Sequence, residues 1–276
     1  MKTAGMGAVF TGTTNIWGNF LVSNTQTAAA DAHYGVATTW DYFKNIHGRL
    51  GIANDGVGAI SRVHYGRNYA NASWSDGCFC MTFGDGDNGA SIYPLVSLDV
   101  AGHEMSHGVT SRTANLIYNG ESGSLNESTS DIFGTLVEYY ANNANDPGDY
   151  KIGEELASSP LRYMYDPNLD GNLSYDCYPA GGLGGVDPHY SSGPANHFFY
   201  MLAEGTTSLT RTCAPGDSKN ATGNGSLAGI GRTAAAAIWY RAIRDYMTSS
   251  TTYPGARAAT LQAATGAANR KAGRVP

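Results

Sequence analysis

Two histidines flank a glutamate in the segment His103-Glu104-Met105-Ser106-His107. In a helix, residues four apart lie on one face, so both imidazoles can bind a single Zn²⁺ ion. Glu104 lies about 100° round the same helix, where its carboxylate can reach water bound to that metal. Two surface histidines on a helix would give the same pattern. A hydrolytic zinc site is therefore predicted, and further ligands must decide between the alternatives.

A tetrahedral catalytic zinc needs a third protein ligand and an open fourth position. Metzincins take that ligand from a histidine six residues after the second one, but this chain has Thr113 there, which excludes that class. A second predicted helix places Glu127, Asp131, Gly134 and Glu138 on one polar stripe, while its other faces are apolar. Buried carboxylates need partners, so this stripe supplies candidates for the third ligand. A solvated outer face is the alternative for this stripe.

Mixed secondary structure must position these residues. Short runs of β-forming residues predict strands at 8–11, 60–65 and 79–83. Helical spacing of apolar residues predicts helices at 27–47, 99–109, 125–142, 194–204, 231–247 and 255–265. The stretch 143–192 is rich in Asp, Asn, Gly and Pro, and a loop of that length suggests bound cations or a function.

Composition narrows the class of protein. The 276 residues are 42% hydrophobic and 14% charged, which is the reverse of a disordered chain. A net charge of −6 argues against a nucleic-acid partner. Every apolar run is far shorter than the ~20 residues that span a bilayer. The sequence therefore predicts a folded protein with no membrane segment.

The four cysteines indicate the redox compartment. Cys177 and Cys213 lie in loop sequence and are expected to form a disulfide, which points to an oxidising environment. Cys78 and Cys80 share one face of a predicted strand. A strained disulfide, a reduced pair and a soft metal site all remain open for this second pair.

Residues 99–140, DVAGHEMSHGVTSRTANLIYNGESGSLNESTSDIFGTLVEYY, closely resemble the thermolysin-like neutral zinc metalloproteases. The resemblance begins near Trp17 and continues to the last helices. It implies an α+β, two-lobe zincin with a β-rich N-terminal lobe, a long active-site helix and a mainly α-helical C-terminal lobe. The expected lobes are residues 1–117, with the histidine motif, and 118–276, with the glutamate ligand.

The resemblance assigns the zinc site residue by residue. His103, His107 and Glu127 are the expected ligands of one catalytic zinc. Asp131 and Asn126 match the residues that hydrogen-bond to the ligands, and such partners fix the imidazole tautomer and raise ligand basicity.

Catalytic roles follow from the same resemblance. Glu104 is the expected general base, which takes a proton from the attacking water and passes it to the leaving amine. Tyr118 and His189 match the family's two donors to the oxyanion. The family orients this histidine with an aspartate five residues earlier, where this chain has Gly184. Asp187 is expected to substitute for it.

Substrate contacts are also implied by resemblance. Asn71, the Ala72 carbonyl and Trp74 match an edge segment against which an extended peptide lies, as an added strand would. Arg162 matches the arginine that contacts a substrate carbonyl. The apolar pocket for the residue after the scissile bond is expected to include Leu161, Ile152 and Val100, for which core packing is the alternative.

A structural calcium ion is the second metal that the resemblance implies. Asp99, Glu138, Asp149 and Glu154 match positions that gather around such a site, and hard cations prefer oxygen ligands. Lys151 replaces an acidic residue that helps to hold a second calcium. One calcium ion is therefore expected.

The expected function is that of a secreted, monomeric endopeptidase that cleaves polypeptides before bulky apolar residues. The opening residues 1–5 lack the apolar segment of an export signal, so secretion is inferred from the resemblance. The alternatives are a catalytically inactive, metal-stabilised binding module, a zinc exopeptidase, or a truncated fragment, since family catalytic domains carry a further β-rich segment before this point. Intact Glu104, Tyr118 and His189 favour the enzyme.

Overall fold

A computed structural model describes residues 7–87, 89–208 and 211–272. The first part of the chain holds helix α1, Thr25–His47, and three strands, β1 (Ile60–Tyr65), β2 (Ala72–Ser75) and β3 (Cys80–Gly84). The three strands form one sheet in the order β1-β3-β2, with β1 parallel and β2 antiparallel to β3. β2 is thus an outer strand of this sheet.

The predicted strand at 8–11 is wrong, because these residues have irregular backbone. Val9 is 87% exposed, and this short run pairs with no strand among the described residues. The two other predicted strands are confirmed within a residue. Residues 1–5, where an export signal was judged absent, lie outside the described residues.

Helix α1 begins and ends with well-defined caps. The Asn24 side chain accepts a hydrogen bond from the Gln26 amide, and Gly48 ends the helix at φ 66°. Tyr42 and Phe43 are buried on its inner face. The predicted helix at 27–47 is confirmed.

Helices α2, Leu98–Ser111, and α3, Gly120–Ala141, cross at two glycines. A Cβ atom at Gly102 would lie 3.0 Å from the Gly134 Cα, and one at Gly134 would lie 2.5 Å from the Asp99 carbonyl oxygen. The absence of both side chains lets the two backbones approach closely. This approach brings the histidine pair of α2 next to the carboxylates of α3.

Helix α3 begins five residues before its predicted start. Its first turn consists of Gly120 and Glu121 followed by small residues, which propensity does not favour in a helix. Tertiary contacts hold this turn in place: Glu121 accepts hydrogen bonds from the amides of Leu183 and Tyr253. Packing therefore overrides local preference here.

The second half of the chain is mainly helical. The stretch 143–192 is largely irregular, as expected, and contains only β4 (Lys151–Ile152), β5 (Arg162–Tyr163), a 3₁₀ turn (Pro167–Leu169) and the single turn α4 (Pro188–Ser191). Three longer helices follow: α5 (Gly193–Glu204), α6 (Arg232–Asp245) and α7 (Tyr253–Ala272).

Helix α2 lies between two apolar cores, one on each side. Val100 and Met105 pack into the core beneath the sheet, while Leu98 and Val109 pack into the larger core of the C-terminal helices. Burial on both sides fixes α2 as the shared wall of the two lobes. The predicted α+β architecture with helices concentrated in the C-terminal part is confirmed.

Both cysteine pairs form disulfides. The expected bond between Cys177 and Cys213 is present, and Cys78 is bonded to Cys80, which selects one of the three alternatives for that pair. No helix in the described part of the chain has the length and apolar character needed to cross a membrane.

Candidate active site

The side chains of two helices converge on one point. His103 and His107 lie one turn apart on α2, with their Nε2 atoms 3.0 Å apart. Glu127 of α3 faces both: its Oε2 lies 3.5 Å from His103 Nε2, and its Oε1 lies 3.4 Å from His107 Nε2. The structure thus brings together all three predicted zinc ligands.

Hydrogen bonds on the far side of each ring hold the histidines in position. His103 Nδ1 donates to Asp131 Oδ1 at 2.8 Å, and His107 Nδ1 donates to Asn126 Oδ1 at 2.7 Å. The amide nitrogen of Asn126 donates to the Leu116 carbonyl, so its oxygen must face His107. Both Nε2 atoms are therefore directed toward Glu127, as a metal site requires.

The charges at this point match a divalent cation. Burial lowers the pKa of His103, but the carboxylates of Glu127 and Asp131 outweigh burial and raise it to about 9. Burial and the charge on His103 lower the pKa of His107 to about 4. Glu127 Oε2 is buried and accepts no hydrogen bond from the described residues. Two imidazoles and a carboxylate in an open cleft are the donor set of a catalytic zinc.

Glu104 lies beside this donor set on the cleft side of α2. Its Oε2 atom is buried and has no hydrogen-bond partner among the described residues. Burial raises the pKa of the Glu104 carboxyl to about 7, although the charge on His103 opposes the shift. A carboxyl with a pKa near neutrality can both take and return a proton.

Tyr118 and His189 lie across the cleft from the histidine pair. The Tyr118 hydroxyl donates to Glu127 Oε1 at 2.5 Å and lies 3.4 Å from His189 Nε2. The other ring nitrogen of His189, Nδ1, lies 2.9 Å from Asp187 Oδ1, which also accepts the His189 backbone amide. Asp187 is the N-cap of α4, so one carboxylate both starts the helix and orients the ring.

Arg162 and Asn196 complete the surroundings of Asp131. Arg162 donates Nε and Nη2 to the two Asp131 oxygens at 2.8 and 2.6 Å. Asn196 Nδ2 donates to Asp131 Oδ2 at 2.8 Å. Burial raises the pKa of Asp131, but Arg162 and His103 outweigh burial and hold that pKa well below its usual range. Sequence reasoning missed Asn196, and its only signal was an amide on the buried face of α5.

The converging residues line a cleft of about 660 Å³. The predicted edge segment forms one wall, and Arg162 and His189 lie on the cleft surface. Ile152 belongs to the larger core and Val100 to the core beneath the sheet, and both also line the cleft. Each residue therefore contributes to core packing and to the cleft surface. The remaining lining residues from the predicted set are Asn71, Ala72, Trp74 and Leu161.

Three carboxylates gather beneath the site. The oxygens of Asp99, Glu138 and Glu154 lie within 4.8 Å of one another. Burial and the neighbouring carboxylates raise the pKa of Glu138 to about 11, and Oε2 of both glutamates is buried without a hydrogen-bond partner in the described chain. The predicted ligand Asp149 lies outside this trio and is paired with Lys151. The trio fits a hard cation.

Comparison with known proteins agrees with this geometry. Residues 2–111 match the family model for the thermolysin metallopeptidase catalytic domain, and residues 114–274 match that for its alpha-helical domain. The chain belongs to the thermolysin family of metallopeptidases. The zinc donor set spans the two matched segments, since the histidines lie in the first and Glu127 in the second.

Individual relatives are similar over most of the chain. A transglutaminase-activating metalloprotease from Streptomyces mobaraensis is 55% identical over 95% of this chain and 34% of its own length. Bacillolysin from Bacillus caldolyticus is 41% identical over 86% of this chain and 41% of its own length. Among solved structures, the precursor of protealysin from Serratia proteamaculans has a TM-score of 0.67 at 30% identity, covering 88% of this chain and 74% of that one. The chain thus spans a third to two fifths of the length of these two curated relatives.

Proposed function

We propose that this chain carries the catalytic site of a secreted zinc endopeptidase. The observation that carries the proposal is the convergence of His103, His107 and Glu127, beside a Glu104 Oε2 atom that has no hydrogen-bond partner among the described residues. Relatives named as metalloprotease and bacillolysin support a proteolytic role. The ligands come from residues 1–117 and 118–276, which we propose as the two lobes.

The three ligands would hold one zinc ion, which supplies Lewis acidity toward water and the substrate carbonyl. Glu104 accepts the proton of the attacking water and returns it to the nitrogen of the leaving amine. Its buried site favours this exchange, because a raised pKa makes the carboxylate a stronger base toward the attacking water.

Tyr118 and His189 would donate hydrogen bonds to the oxyanion that develops on the scissile carbonyl. The Asp187 carboxylate accepts a hydrogen bond from His189 Nδ1 and therefore fixes the orientation of the ring. Asp187 thus takes the orienting role that the sequence predicted for it, from two residues away along the chain.

A polypeptide substrate would lie in extended form along β2. Asn71, the Ala72 carbonyl and Trp74 provide the wall against which its backbone can add as a strand. Arg162 is held at the cleft by Asp131, where its remaining N–H groups can reach a substrate carbonyl. Leu161, Ile152 and Val100 would accept a bulky apolar residue after the scissile bond.

We also propose one structural calcium ion at Asp99, Glu138 and Glu154, with Asp149 close enough to contribute its charge. The two disulfides support an oxidising, extracellular setting. A monomer that acts on polypeptides, with no nucleic-acid or membrane partner, is consistent with the acidic charge of −6.

Hydrolysis of an internally quenched peptide with a bulky apolar residue after the scissile bond tests the proposal. Internal cleavage that phenanthroline abolishes is expected. Glu104→Gln should retain zinc by elemental analysis but lose activity by at least about 100-fold, while Glu155→Gln, at an exposed glutamate outside the cleft, should match the parent chain. A folded, zinc-loaded chain that cleaves no peptide would instead support a metal-stabilised binding module.

A further inference from the structure

The strand that forms the peptide-binding wall of the cleft is short and lies at the edge of its sheet. β2 has four residues and pairs only with β3 among the described strands. An edge strand of this length has little stability of its own, so its position over α2 must come from other contacts.

Asp76, the residue after β2, connects the strand to the end of α2. Its Oδ1 atom accepts a hydrogen bond from Trp74 Nε1 at 3.2 Å and one from Ser111 Oγ at 2.9 Å. The same oxygen lies 2.8 Å from Arg112 Nη1. One carboxylate thus ties the indole of the wall to two residues at the C-terminal end of the zinc-binding helix.

Phe79 supports the other side of the same indole. Its ring packs edge-on against Trp74 with centroids 5.2 Å apart, and the Arg112 guanidinium lies 5.8 Å from its centroid. Phe79 has φ 50°, a left-handed conformation that is uncommon for a bulky residue. It lies between Cys78 and Cys80, whose disulfide closes the chain around it. The bond therefore restricts Phe79 to the turn that directs its ring toward Trp74.

The position of Trp74 matters to both halves of the site. Its ring lies on α2, where a Cβ at Gly108 would approach the indole to 3.0 Å. Trp74 and Glu104 both line the cleft. A shift of Trp74 would move the substrate wall relative to the helix that carries the zinc ligands and the general base.

We propose that Asp76 and the Cys78–Cys80 disulfide are positioning residues that hold the peptide-binding edge strand against α2. We name this group, with Phe79, Ser111 and Arg112, the rim clamp. The inference rests on the proposed function, since it assumes that a peptide binds along β2. Contacts with an extended backbone are made equally in the ground state and the transition state, so their loss raises KM and leaves kcat nearly unchanged.

The test compares variants of the zinc-loaded chain on the quenched peptide. Asp76→Ala, and Cys78→Ser combined with Cys80→Ser, should each raise KM roughly fivefold while kcat stays within about twofold. Asp76→Asn keeps an acceptor for Trp74 and Ser111 and should restore most of the lost affinity. Cys177→Ser combined with Cys213→Ser removes the disulfide outside the cleft. That control should lower Tm and leave KM unchanged.

A direct binding measurement separates this inference from the proposed function. Fluorescence anisotropy of the labelled peptide, on chains that also carry Glu104→Gln, reports Kd without turnover. If the zinc-loaded chain with Glu104 intact binds the peptide but does not cleave it, the proposed function fails. The rim clamp is then judged from the Kd values alone. If folded Asp76→Ala and the Cys78/Cys80 double variant keep the parent Kd and KM, or lose kcat with KM unchanged, the rim clamp is refuted.

Discussion

Gly134→Ala tests how closely the zinc site depends on the crossing of α2 and α3. The new Cβ would lie 2.5 Å from the Asp99 carbonyl oxygen and 3.4 Å from the His103 amide nitrogen. Ordinary contact begins near 3.4 Å, so the helices must separate by about 0.9 Å. Glu127 and Asp131 lie on the helix that moves, while the histidines stay on the other.

This shift should affect activity more than stability. Overpacking costs roughly 1–3 kcal/mol, but alanine gains about 1 kcal/mol of helix propensity over glycine. The net loss of up to about 2 kcal/mol lowers Tm by a few degrees. A displacement near 1 Å at a catalytic site costs about 100-fold in rate, so kcat/KM should fall by about that factor. Zinc affinity, measured by competition with a fluorescent chelator, should fall with it.

Gly35→Ala is the matched control for this prediction. Its Cβ would also approach to 2.5 Å, but it would meet Ala101 Cβ on α2, from the α1 side. The added methyl should therefore cost stability without separating Glu127 from His103, and Ala101→Gly should relieve it. Equal losses of kcat/KM in Gly134→Ala and Gly35→Ala, or a Gly134→Ala chain with parental zinc affinity, would contradict the reasoning.

Three further predictions concern Asp131 beside the zinc ligands, His47 at the end of α1, and Glu138 in the carboxylate trio. Asp131→Asn removes the charge that holds His103, so zinc affinity in a competition titration should fall by about 10–100-fold, and an unchanged affinity would contradict this role. Burial and then Arg244 lower the pKa of His47 to about 4. Below about pH 6.5, His47 therefore binds a proton in the unfolded chain but stays neutral in the folded chain. The free energy of unfolding should decrease by up to about 3 kcal/mol between pH 6.5 and 4. In urea unfolding, the free energy of unfolding of His47→Gln should decrease less over this pH range than that of the parent chain. Equal pH profiles for the two chains would contradict this role of His47. Glu138→Gln removes a buried carboxylate from like-charged neighbours, so it should raise Tm in EGTA and reduce the gain from calcium in thermal melts. The same calcium-dependent shift in both chains would exclude a role for Glu138 in that site.

Much of the active site could be predicted because its signals are local or strongly patterned. The spacing of His103 and His107 requires only helical geometry, and the stripe from Glu127 to Glu138 stands out on an apolar helix. The structure brings these residues together as predicted. Cys177 and Cys213 were also expected to pair, since both lie in Gly-, Pro- and Asp-rich loop sequence and could close a loop.

Other features depended on contacts between segments far apart in the chain. Residues 8–11 have the composition of a strand but pair with no strand among the described residues. The early start of α3 depends on Glu121 and its remote hydrogen bonds. Asn196 was missed because nothing in its own neighbourhood indicates that it donates to Asp131, 65 residues earlier.

The sequence alone determined the chemistry of this protein: which side chains could bind zinc, which carboxylate could act as base, and which helices carry them. Helical periodicity is a short-range property, so it can be read without knowing the fold. Only the tertiary structure decided that Gly134 lets α3 approach α2, that Asn196 donates to Asp131, and that Asp76 ties the edge strand to α2. These outcomes depend on packing between distant segments, where distances of a few tenths of an ångström decide which groups meet.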